Sequence, residues 1–130
     1  MWVFTQTGYI SVVDKGQHTG YLTARSRDKQ SLAILSEIAD SPIEFTPMAD
    51  YQYRTVVKRE HLTEFLTQQV ETLNYSNFKD QIWQTRGDDF HHACGDVWVA
   101  MNAIKDEEAQ EWYADRYAER AAKRSAARAV

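Results

Sequence analysis

His91-His92-Ala93-Cys94 sets an imidazole and a thiol three residues apart. At that spacing two side chains share a helix face and can ligate one metal or pair as base and nucleophile. Neither chemistry is completed. A closed zinc site needs two more ligands, and only His18, His61 and distant carboxylates remain. A reactive Cys94 needs a thiolate held by a helix N-terminus or a cation. It stands about a turn and a half into its helix, where the dipole has faded. It also falls in the apolar series Phe90, Cys94, Val97, Trp98, Met101, Ile104, so core packing accounts for it better. Asp88, Asp89 and Asp96 are oxygen donors of the kind Mg²⁺ takes, but Asp89 reads better as the cap of the following helix. The tripeptides Gly87-Asp88-Asp89 and Arg86-Gly87-Asp88 match polymerase and adhesion signatures only at chance level. Phosphate-loop, dinucleotide, nucleophile-elbow and zinc-protease motifs do not occur. No catalytic residue, metal ligand or cofactor is assigned, and a protein that works by binding is expected.

Three arginines carry more information. Arg25 and Arg27 sit in an apolar-alternating stretch, with the parity to point away from Leu22 and Ala24. Arg54 joins them on one sheet face if the strand registers match, with Thr23, Gln52 and Lys58 alongside. A basic sheet face free of helices is one way small α+β modules meet RNA or single strands. Stacking aromatics would complete it, and Tyr53 has the wrong parity. A solvated face with cross-strand polar pairs is the alternative. Asn77 and Lys79, in Tyr75-Ser76-Asn77-Phe78-Lys79, form a second candidate binding pair at a helix junction, where Asn77 is also a plausible cap.

The elements that hold these residues follow from periodicity. Trp2–Thr5, Tyr9–Val13 and Tyr21–Arg25 are rich in β-branched and aromatic residues and read as strands. Gln6-Thr7-Gly8 turns the first pair, and Asp14 to His18 turns the next. Asp28 caps a helix built on Leu32, Ile34, Leu35, Ile38 and Ala39, ended before Pro42. Ile43–Thr46 and Tyr51–Val57 are strands, the second with Tyr51, Tyr53, Thr55 and Val57 on one face. Leu62, Phe65, Leu66, Val70 and Leu73 mark an amphipathic helix. Phe78, Ile82 and Trp83 face inward from a short one, and the series Phe90–Ile104 puts Trp98 in the main core. Asp106 caps a last helix carrying Trp112, Tyr113 and Tyr117, with fraying expected beyond Ala121. The fold class is α+β: a mainly antiparallel sheet, N-terminal hairpin plus a ferredoxin-like strand-helix-strand-strand-helix unit, covered by helices on one face. Residues 1–105 form the domain and 106–130 a helical extension.

The chain has 130 residues, 43% hydrophobic and 26% charged, which suits one globular core. One cysteine excludes an intrachain disulfide, and no apolar run spans a bilayer. A signal peptide pattern is lacking, so a cytoplasmic location without membrane attachment is expected. The net charge of −4 is segregated: residues 1–115 carry −8 and residues 116–130 carry +4. A basic tail on an acidic body suits the helix dipole, a second copy or an anionic polymer. Trp112, Tyr113 and Tyr117 are typical interface anchors, so a homodimer through this helix is expected.

Several blocks together resemble a group of small uncharacterised single-domain proteins of bacteria and their phages. They are Trp2-Val3-Phe4-Thr5 with Gly8 and Ser11-Val12-Val13, Thr23-Ala24-Arg25-Ser26-Arg27 with Leu32, Asp50-Tyr51-Gln52-Tyr53-Arg54, Tyr75 to Lys79, and Val97-Trp98. The resemblance covers residues 1–104 and implies a compact domain. With the size and acidity, it suggests a phage-type accessory factor that acts by binding a host protein. A nucleic-acid or anion-binding module using the arginine face is the alternative.

Overall fold

The computed structural model describes every residue except Gln17 and Val130; the expected turn at 14–18 therefore includes one position outside the described residues. Strands β1 (Trp2–Thr5), β2 (Gly8–Val13) and β3 (Tyr21–Ser26) form an antiparallel meander. After β3 the Asp28 carboxylate accepts the Ser31 N–H at 3.0 Å, capping a 3-10 turn at Gln30–Leu32 that leads into α1 (Ala33–Ala39). Asp40, at φ 45°, ends α1 two residues before Pro42. Strand β4 is only Glu44–Phe45, and β5 is Tyr53–Lys58. Helices α2 (Arg59–Glu71), α3 (Phe78–Arg86), α4 (Asp88–Ala100) and α5 (Glu107–Arg128) complete the chain.

The fold is α+β. The sheet order is β1-β2-β3-β5-β4, with every neighbouring pair antiparallel. Strand β5 therefore lies between β3 and β4, which run the same way and are joined through α1. The place beside β3 on its other edge is taken by β2.

Alternation decides which face is buried. Ile10 and Val12 of β2, Leu22 and Ala24 of β3 and Val57 of β5 point to one side. Leu32, Leu35 of α1 and Leu62 and Phe65 of α2 close over them. Contacts divide the chain into two units, Met1–Cys94 and Gly95–Val130. The division falls inside α4.

Several expectations are corrected. Tyr51 lies outside β5, on a bend where its N–H bonds the Asp50 carboxylate. It does not share the Tyr53 face. The apolar series on α4 does not form the main core: Cys94 is buried, but Trp98 is 59% exposed. The sheet, α1 and α2 already fill that core, and the one buried residue of α4, Cys94, lies outside the cluster they form. Val70, Leu73 and Trp83 are likewise exposed, because α2 and α3 each bury a narrow stripe around Leu62 and Phe65 or around Ile82. Asp89 is not a cap, since α4 starts at Asp88 directly after Gly87, whose φ is 87°. Asn77 and Asp106 do cap, accepting the N–H of Asp80 at 3.1 Å and of Ala109 at 2.8 Å. Helix α5 continues past Ala121 to Arg128.

Candidate functional site

The sheet face opposite the core collects the arginines. Register sets Arg25 of β3 directly across from Arg54 of β5. The same row continues through Ser11 of β2 to Trp2 of β1 on one side, and to Glu44 of β4 on the other. Five strands thus present Trp2, Ser11, Arg25, Arg54 and Glu44 in one line. The next row begins with Phe4 opposite Tyr9.

Tyr51 organises the cations. Its buried ring lies 4.7 Å from the Arg25 guanidinium and 5.5 Å from that of Arg27. Both distances fall in the cation–π range. Its carbonyl accepts a hydrogen bond from Arg54 Nη2 at 3.3 Å. Arg25 Nη2 also donates to Ser11 Oγ at 2.8 Å. The Nε of Arg25 and the Nε of Arg54 are buried without a hydrogen-bond partner, and among the described residues neither arginine forms an ion pair. Register places Arg25 and Arg54 on this face, and Arg27, past the end of β3, reaches the same Tyr51 ring; among the described residues none of the three is ion-paired.

Aromatics extend the face to the edge. The Tyr9 and Tyr51 hydroxyls share a hydrogen bond of 3.1 Å, and their rings are 6.3 Å apart. Tyr9 packs against Phe4 at 4.7 Å and edge-on against Trp2 at 6.2 Å. Burial, then the hydrogen bond shared with Tyr51, push the Tyr9 hydroxyl above its ordinary range, so it stays neutral. Trp2 is 71% exposed on an edge strand and Phe4 is partly exposed beside it. The alternation against Val3 and Ile10 was the signal for Trp2, Phe4 and Tyr9. No parity signal existed for Tyr51, because the chain bends before β5 begins.

The other candidates lie elsewhere. Asn77 and Lys79 are on α3; the Asn77 amide oxygen is engaged in capping, and the Lys79 carbonyl bonds His91 Nδ1 at 3.0 Å. His91 packs 5.7 Å from the Trp83 ring, whose N–H donates to Asp88 at 2.7 Å. Burial raises the Cys94 thiol above its usual pKa, which disfavours the nucleophilic thiolate. Among the described residues no group of three or more His, Cys, Asp or Glu comes together as a metal site. No helix there is long and apolar enough to cross a membrane. Trp112, Tyr113 and Tyr117 are exposed on α5, with Arg116 over the Trp112 ring at 5.1 Å and Lys105 over Tyr113 at 5.5 Å.

Fold and site together define a small α+β protein with a basic, aromatic sheet face. No protein-family model, curated protein or solved structure matches the chain.

Proposed function

We propose that the protein binds single-stranded nucleic acid on the sheet face that carries Arg25, Arg27 and Arg54. The Arg25–Arg54 pair carries this reading. Like charges directly opposite on neighbouring strands cost stability; Glu44 flanks Arg54 in the row, but among the described residues no carboxylate reaches ion-pair distance of either guanidinium. A phosphate over the pair converts that repulsion into charge-assisted hydrogen bonds. Trp2 and Phe4 add aromatic surface of the kind that stacks bases without regard to sequence. The test is anisotropy of a labelled oligouridylate titrated with protein. Arg25→Ala and Arg54→Ala should each weaken binding roughly tenfold and lower the salt slope by about one. An Arg25→Ala, Arg54→Ala double variant that keeps its circular dichroism and binds as tightly as the parent defeats the reading.

The second reading is a protein partner, met through residues 95–130. No described residue of that unit is buried, and Trp98, Met101, Ile104, Trp112, Tyr113 and Tyr117 are all exposed. A second copy of the chain is one such partner. A host protein is the other, in keeping with an accessory factor.

A further inference from the structure

We infer, resting on the nucleic-acid reading, that the face divides its ligand: unpaired bases stack on Trp2 and Phe4 at the β1 edge, and a phosphate a few nucleotides along is gripped between Arg25 and Arg54. The ligand is then a short single-stranded segment lying across the strands.

The row Trp2, Ser11, Arg25, Arg54 gives the track. Ser11, between Trp2 and Arg25 in the row, is buried under its neighbours, and its hydroxyl accepts from Arg25, so the guanidinium is already ordered. The aromatic side is braced as well: Phe4, Tyr9 and Tyr51 form a chain of ring contacts closed by the Tyr9–Tyr51 hydroxyl bond. Groups held before binding lose little freedom on binding.

The track has two ends. Trp2 lies on the outermost strand, and beyond Arg54 the next residue in the row is Glu44, whose carboxylate repels phosphate. From Trp2 to Arg54 there are three strand spacings of about 4.8 Å, roughly 14 Å in all. At about 3.4 Å per stacked nucleotide, that is a footprint of about four nucleotides. A paired duplex hides the base faces that Trp2 and Phe4 would contact.

The experiment is competition against a labelled twelve-nucleotide oligouridylate by unlabelled oligouridylates of two to eight nucleotides, a duplex of the same length, and inorganic polyphosphate. Affinity should climb to about four nucleotides and then level off, with the duplex a poor competitor. Trp2→Ala should weaken oligouridylate roughly tenfold and leave polyphosphate unchanged; Arg25→Ala should weaken both. Two results overturn the division while leaving nucleic-acid binding intact. One is affinity that keeps climbing tenfold between four and eight nucleotides. The other is an equal loss of both ligands in Trp2→Ala. If neither oligouridylate nor polyphosphate binds the parent protein, the nucleic-acid reading falls and the division with it.

Discussion

Arg86, unlike Arg25, Arg27 and Arg54 among the described residues, forms an ion pair. Its side chain, 8% exposed, places Nη2 2.6 Å from Asp28, while Nη1 donates to the Thr7 carbonyl and to Ser31 Oγ. Its guanidinium also covers Phe90 at 4.2 Å. Ser31 Oγ donates to Asp28 and accepts the Tyr9 N–H, so one hydroxyl joins β2, the turn after β3 and α3. Gly8 has φ 140°, and a Cβ there would collide with Ser31 Oγ and Arg86 Nη1, which is why glycine occupies this position. Burial opposes ionisation of Asp28, but hydrogen bonds from Ser31 and Arg86 outweigh it and hold the carboxyl below its ordinary value of 3.8. A depressed folded pKa contributes stability that is present above the unfolded pKa and lost as pH falls through the folded one. Asp28→Asn should therefore lower the urea midpoint at pH 7, and the gap to the parent should close below about pH 4. Arg86→Met should cost about 3 kcal/mol, because it leaves Asp28 without its cation; Asp28 keeps a third of its side chain in water, so the low end of the range applies. A pH-independent gap in the Asp28 series would break this account. Asp28 was legible as a cap, since a carboxylate before an apolar helical series has few other uses. Its partner was not, because nothing in the spacing of Arg86 points back across 58 residues.

The elements were legible where one face had to be dry. Period-two alternation placed Ile10, Val12, Leu22 and Ala24 together, and it set Arg25 on the other side; Arg27 lies past the end of β3, where alternation no longer applies. It failed where periodicity outran burial. The series from Phe90 to Ile104 has helical spacing throughout, but within it only Cys94 is buried. A regular apolar stripe requires some apolar partner; it does not say which one. Helix α2 shows the same limit at Val70, exposed in its last turn. The two helices make opposite predictions for truncation. Phe65→Ala, within the cluster under the sheet, should cost roughly 3–5 kcal/mol by circular dichroism melts in urea. Trp98→Ala should cost about 1 kcal/mol or less, as befits a side chain more than half in water. Equal losses would return Trp98 to the core.

For the molecule as a whole, charge and exposure bear on the same helix. Helix α5 carries Glu107, Glu108, Glu111 and Asp115 up to residue 115, and from there on Arg116, Arg120, Lys123, Arg124 and Arg128 against a single acid, Glu119. This suits its own dipole. It also means that two copies laid antiparallel set acid against base along the helix, with Trp112, Tyr113 and Tyr117 near the middle. A helix with no buried residue is marginal in water. Light scattering at rising concentration should show an apparent mass climbing from 15.1 kDa towards twice that value, reversed by salt. Trp112→Ser with Tyr117→Ser should hold the chain monomeric. A parent that is monomeric at high micromolar concentration rules out self-association and leaves the aromatics of α5 to a different protein. The same exposure has an optical consequence. All four tryptophans, Trp2, Trp83, Trp98 and Trp112, are more than half in water in the folded state. Their emission should lie close to that of solvated indole, so unfolding should shift it little, and a fluorimeter would report poorly on a core of Ile10, Leu35 and Phe65.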